Sequence, residues 1–230
     1  MELLTYGNAK IVKGESKGFL TAILHLAPAN ISGYNVCASA SEGCKLGCLN
    51  RAGRGIYQKT QNARIRRTRE FFANPDAFMV RLAKDIRTVT RKAHKMGLTP
   101  CIRLNGTSDI PWERIGFSAD GAFFPNIMAM FPDIQFYDYR KITKFDNIPA
   151  NYHLTFSRSE VNEMDAISAL HAGVNVAVVF RKSLPSRWHG FRVIDGTTHD
   201  LRFLDARNVV VGLVAKGPAR RDTSGFVVTV

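Results

Sequence analysis

Acidic side chains are scarce in this chain: 19 Asp and Glu stand against 32 Lys and Arg, a formal charge of +13 over 230 residues. So basic a balance points toward a polyanionic partner, although solubility alone accounts for part of it. Long apolar runs are lacking as well. No stretch approaches the eighteen or so residues that cross a bilayer, so no membrane segment is expected. No N-terminal stretch combines a basic start, an apolar core and a small-residue cleavage site, so secretion is not expected either. The expected compartment is a reducing cytoplasm. Internal repeats, low-complexity tails and Pro-rich linkers are all missing, and residues 1–230 read as a single domain. Hydrophobic residues at 45% and charged residues at 22% describe a globular chain.

Cysteine is sparse too, at four residues, but three of them fall together in Cys37-Ala-Ser-Ala-Ser-Glu-Gly-Cys44-Lys-Leu-Gly-Cys48. Three thiols in a Gly/Ser-rich loop can converge on one iron–sulfur cluster or one zinc ion. The alternatives are a disulfide between two of them, or small side chains with no shared role. A reducing compartment favours ligands over disulfides. Gly43 and Gly47 each precede a cysteine and are expected to ease tight turns. The fourth cysteine, Cys101, opens a strand whose polar end lies four residues on, at the order of 13 Å. That distance makes Cys101 a core side chain and leaves three ligands with one open metal position.

Apolar periodicity gives the order of elements. Strands are expected at 19–26, 101–105, 134–139, 152–156, 174–180, 191–194 and 209–214. A loop at 27–59 carries the three cysteines. Helical sequence fills 60–96, broken at Asn74-Pro75 and ended by Gly97, with Phe78, Leu82, Ile86 and Val89 as one apolar stripe. Ser159 is the expected cap of a helix ending near Gly173. Strands alternating with helices predict an α/β domain. The first choice is a complete or partial parallel β/α barrel with an inserted cysteine-rich loop. The alternative is an open doubly wound sheet.

In both architectures the carboxyl ends of strands carry the ligand site. The polar residues there are Asn105, Thr107, Ser108 and Asp109, Asp138 and Lys141, and Ser157 and Arg158. The first four and last two are candidates to bind a cofactor; Asp138 and Lys141 are candidates for catalysis. His153, Glu160 and Lys216 are weaker. Asp195, His199 and Asp200 would suit metal-assisted hydrolysis, but Asp195-Gly196 is also an ordinary turn.

Between Lys45 and Lys95 fourteen Lys or Arg face only Glu70, Asp76 and Asp85, so this segment carries +11 of the charge. Arg51, Arg54, Arg64, Arg66, Arg67 and Arg69 are candidates to bind the phosphates of a nucleic acid or nucleotide. The competing view is a solvated helix face. Zinc-finger histidine pairs, a Walker loop and a helix-turn-helix are all missing.

A first strand, a three-cysteine loop, helices and further β/α units resemble the order in radical S-adenosylmethionine enzymes. That resemblance implies a [4Fe–4S] cluster on Cys37, Cys44 and Cys48, with S-adenosylmethionine on the open iron. The family spacing is Cys-x3-Cys-x2-Cys, whereas this chain has Cys37-x6-Cys44-x3-Cys48. The family's Gly-Gly-Glu stretch is absent, and Asn105-Gly-Thr-Ser-Asp109 matches it by position only. Over most of its length the chain more closely resembles the phage "gene product 88" proteins, through Arg103-Leu-Asn-Gly-Thr-Ser-Asp109, Phe136-Tyr-Asp-Tyr-Arg-Lys141, Thr155-Phe-Ser-Arg-Ser-Glu160 and Val193-Ile-Asp-Gly196. That resemblance implies a phage origin and transfers no reaction. The function expected is an iron–sulfur protein, with radical chemistry on a nucleotide or nucleic acid as its fullest form. The alternative is a non-enzymatic, zinc- or cluster-stabilised phage protein that binds host nucleic acid or a host protein.

Overall fold

The computed structural model describes residues 2–6, 9–142 and 146–230. Nine strands form one sheet. Its parallel body comprises β2 (Phe19–Leu24), β3 (Thr99–Arg103), β6 (Gln135–Arg140), β7 (Tyr152–Ser157), β8 (Val176–Phe180), β10 (Phe191–Asp195) and β11 (Val210–Val214). Two-residue strands, β1 (Leu4–Thr5) and β9 (Arg187–Trp188), close its edges antiparallel. The order across the sheet is β1-β2-β3-β6-β7-β8-β11-β10-β9. A small hairpin, β4 (Phe117–Ala119) with β5 (Ala122–Phe124), stands apart.

Among the described residues β1 and β9 are free edges, so the observed architecture is an open, mostly parallel sheet. Strand order explains why it is covered on both faces. From β2 to β8 the chain steps in one direction, and right-handed crossovers then keep their helices on one face. Helix α4 (Pro75–Lys95) and helix α6 (Glu163–His171) lie there, in the two large apolar clusters. From β10 to β11 the chain steps back, which moves that crossover to the opposite face. Leu201 and Phe203 of this crossover pack with Phe19, Cys101 and Tyr137. Helix α1 (Ala9–Glu15) adjoins them, since Gly14 faces Leu201.

Helix α4 forms where its caps and stripe foretell. The Asn74 side chain accepts from Ala77 N, Pro75 takes the first turn, and Gly97 leaves the helix at a φ of 67°. Phe78, Leu82, Ile86 and Val89 are all buried against the sheet. Helix α3 (Gln58–Ala73) precedes it, while α5 (Ile127–Met130) is a single turn before β6. Helix α6 starts at Glu163 behind Asn162, not at Ser159; the Asn162 side chain accepts from Ser159 N and fixes the approach instead.

Candidate functional site

Residues 25–57 cross the carboxyl ends of the strands, and three local devices hold the cysteines there. Ser41 caps the short helix α2 (Glu42–Leu46), its hydroxyl accepting from Cys44 N at 3.2 Å. Cys48 then caps a 3-10 turn, Leu49–Arg51, its sulfur accepting from Asn50 N at 3.5 Å. Glu160, just past β7, clamps the start of α2: its carboxylate accepts from Gly43 N at 2.8 Å and from the Ser41 hydroxyl at 2.7 Å. Gly43 and Gly47 are needed for close packing, not for unusual turns, as neither has a positive φ. A Cβ on Gly43 would collide with Ser224 Oγ and lie 2.7 Å from Phe226 Cβ.

That chain-terminal segment is itself pinned. Arg158 donates to the carbonyls of Gly225 and Phe226 and pairs with Glu163 at 2.5 Å. Arg158, which sequence marks as a cofactor-ligand candidate, clamps that segment through these contacts.

Cys37 sits across from the loop that follows β3. Its thiol points to Thr107 O at 3.7 Å, the Thr107 hydroxyl donates to Leu26 O at 2.6 Å, and Asp109 N donates to Val36 O at 2.8 Å. Asn105 organises this loop: its side-chain oxygen accepts from the Ser108 hydroxyl, Ile110 N and the Trp112 indole, and its amide donates to Ile110 O. Asn105 and Ser108, both cofactor-ligand candidates by sequence, shape the loop through internal bonds. Asp109 differs, because its Oδ2 is buried with no hydrogen-bond partner. Burial raises its carboxyl, and Lys141 opposes that rise. Lys141 Nζ donates to Ser157 Oγ at 3.0 Å and lies 5.6 Å from the Phe226 ring centre.

Cys37, Cys44 and Cys48 are all free and half-buried. No disulfide joins any of the four cysteines. Burial pushes the Cys37 thiol up to about 11, and the fields of Cys48, Cys44 and Asp109 add to it. Burial also raises Cys44, with Lys141 opposing, and Cys48, with its Asn50 backbone bond, Arg64, Arg51 and Lys141 opposing. The three thiols therefore lie within one another's fields, beside fixed cations. Cys101 lies apart, buried in the sheet at 3.1 Å from Thr21 Oγ1.

Other candidates are placed elsewhere. Asp138 is fully buried in the sheet, accepting from Leu104 N at 3.2 Å, Asn105 N at 2.7 Å and the Tyr152 hydroxyl at 2.9 Å. Those bonds tie β3, β6 and β7 together at the residue that sequence marks as a catalytic candidate. Arg64 and Arg67 are also buried, bonding Asn50 Oδ1 and, at 3.1 Å, Glu2 O. They brace helix α3 and do not belong to an outward phosphate face. Arg66 pairs with Glu70 at 3.6 Å, and Arg69 donates to Ser32 O at 3.1 Å. Arg51 and Arg54 are exposed.

Asp195 holds its own turn through Thr197, and Asp200 pairs with Arg103 at 3.0 Å. His153 lies half-buried in β7 with burial lowering its pKa, and Lys216 is exposed. Among the described residues no three Cys, His, Asp or Glu side chains come close enough together to hold a single metal ion. No helix among them is long and apolar enough to cross a membrane.

Sequence signals missed Glu160 as the loop clamp. The Ser41-Glu42-Gly43 cap was legible, but its partner lies 119 residues away. A search of curated proteins and one of solved structures find no match. The family model described as Gene product 88 matches residues 2–230, and the chain belongs to that phage family.

Proposed function

We propose that this Gene product 88 protein is an iron–sulfur protein, with a [4Fe–4S] cluster held by Cys37, Cys44 and Cys48 at the carboxyl ends of the parallel strands. One observation carries the reading: three free, half-buried thiols lie in one loop at that edge, held there by contacts to Thr107, Ser41, Glu160 and Asn50. The donor set fits the group. Thiolates are the usual ligands of such clusters. Cations next to the thiols offset the negative charge that thiolates would bring.

When bound, the cluster supplies an electron and one iron free of protein ligands. This chain's own residues do the rest. Glu160 and Ser41 fix the Cys44 turn, Thr107 positions Cys37, and Asn50 steadies Cys48. Asp109 offers a buried acceptor without a partner, and Lys141 offers a cation above Phe226. A ligand with both an amino and a carboxylate group would suit that pair, and S-adenosylmethionine is the one that the resemblance to radical enzymes suggests. Radical chemistry on a nucleotide or nucleic acid is the fullest form of this reading.

The second reading is a non-enzymatic phage protein, stabilised by a cluster or zinc, that binds host nucleic acid or a host protein. Two observations favour it: Asp138 is engaged inside the sheet, and the loop around the cysteines presents exposed arginines and apolar side chains to solvent.

Anaerobic purification separates the readings. A brown protein with broad absorption near about 400 nm, whose reduced electron paramagnetic resonance signal shifts with S-adenosylmethionine, supports the first. A brown protein with an unmoved signal supports a cluster-bearing binding protein. Colourless protein with stoichiometric zinc and no acid-labile sulfide overturns the cluster.

A further inference from the structure

Around the cysteines the chain puts side chains in water that folding normally pairs or buries. Leu49 is 58%, Ile56 62% and Tyr57 62% exposed. Among the described residues the side chains of Arg51, Arg54 and Lys59 are exposed and make no hydrogen bond or ion pair. Glu42 is the one acid between residues 41 and 59, and Lys45 already neutralises it at 2.6 Å. The surface continues down helix α3. Its inward face buries Arg64, Arg67, Thr68 and Phe71. Its outward face carries Lys59, Arg66 and Arg69 at helical spacing, the last two beside a shallow groove that Ile65, Glu70 and Ala73 also line.

We propose that this rim and the outer face of α3 form a track for single-stranded nucleic acid, with phosphates on Arg54, Lys59, Arg66 and Arg69 and a base stacked on Tyr57. Charge complementarity selects a polyanion, as Arg51, Arg54 and Lys59 stand in a stretch whose one acid, Glu42, is already engaged by Lys45. The exposed aromatic ring selects unpaired bases. A duplex hides its base faces inside the stack and would offer Tyr57 only sugar and phosphate. Single strands bind on this combination of basic groove and aromatic platform. An anionic membrane is disfavoured because Lys59, Arg66, Arg69 and Glu70 interrupt the few apolar side chains of the outer α3 face, so only the loop tip could insert. DNA and RNA share this chemistry and are separated in the test. The inference deepens the binding part of the proposed function and does not need the cluster.

The test uses the full-length chain, first checked for iron content and thermal melting, with fluorescent 20-mer single-stranded DNA, single-stranded RNA and duplex DNA over a salt series. Poly-glutamate and phosphatidylserine vesicles serve as competitors. Wild-type protein is expected to prefer one or both single strands over duplex. Tyr57→Ala should weaken binding roughly tenfold while Tyr57→Phe retains it, since stacking needs the ring and not the hydroxyl. Arg54→Gln with Lys59→Gln should lower the salt slope by about 1.4, or ~0.7 for each phosphate of a single strand that is no longer neutralised.

Failure to bind any strand at low salt, or affinity unchanged by Tyr57→Ala, overturns the track. Competition by poly-glutamate or vesicles as strong as by oligonucleotide overturns it too, in favour of an acidic protein or a membrane. Loss of iron with binding intact would sink the cluster and leave the track standing.

Discussion

Glu160 is the residue whose role extends furthest beyond its own position. Its carboxylate is the acceptor for both Ser41 Oγ and Gly43 N, so removing it strands two donors at the turn that presents Cys44. Glu160→Ala is expected to cost about 1–3 kcal/mol, the penalty of donors left unsatisfied, and to speed cluster loss to a chelator. Glu160→Gln keeps one acceptor oxygen for Gly43 N and can donate its amide to the Ser41 hydroxyl oxygen, so it should recover part of both losses. Melting and chelation half-times across the pair decide it; equal behaviour of the two variants would mean that Glu160 does not clamp the turn.

His25 gives stability a pH dependence. It is largely buried, its pKa is lowered to about 3 by burial first and then by Arg64, Arg103 and Arg67, and only Asp200 opposes. The folded state holds it neutral, while the unfolded chain takes up a proton below about pH 6.5. Its contribution to stability is therefore complete above about pH 6.5 and is lost as pH falls toward 3. Between pH 6.5 and 5 the loss is about 2 kcal/mol. Asp138, raised by burial to about 7, slopes the opposite way over part of this range, so the difference between wild type and His25→Gln isolates the histidine. A wild-type melting profile that parallels the variant's from pH 7 to 5 would contradict it.

At the scale of elements, helix α4 is the firmest support under the site. Leu82 and Ile86 are fully buried where α4 meets the sheet. Leu82→Ala should cost about 2–5 kcal/mol in denaturant unfolding, with iron content unchanged in the molecules that remain folded. Denaturation indistinguishable from wild type would mean that packing of α4 on the sheet does not stabilise the fold.

This element was also the most legible in sequence, because Asn74-Pro75, a four-residue stripe and Gly97 are local signals that tertiary packing did not override. The buried strands were legible for the same reason: β8 and β11 are short apolar runs between turn signals. Short elements escaped, namely β1, β9, the β4–β5 hairpin, α1, α2 and α5, since two to seven residues give no periodicity to read. The Arg64 to Arg69 run shows the limit of composition. Four arginines in six residues look like one basic face, yet helical geometry turns Arg64 and Arg67 inward and Arg66 and Arg69 outward.

For the whole molecule, strand order was beyond sequence, because pairing partners lie tens of residues apart. The reversal between β10 and β11 leaves an open sheet covered on both faces. The position of the cysteines followed from a simpler fact: parallel strands all end at one edge, so loops leaving β2, β3, β6 and β7 meet there. Lys141, Asp109, Glu160 and the three thiols come from those four loops.

The central claim, that Cys37, Cys44 and Cys48 act together and Cys101 apart, is tested most directly by iron and acid-labile sulfide content. The measurement compares the wild type with four single Cys→Ala variants after anaerobic reconstitution. About four irons and four sulfides are expected in the wild type and in Cys101→Ala, with most of both lost in each of the other three. Loss confined to Cys101→Ala, or full loading in any of the three loop variants, would contradict it.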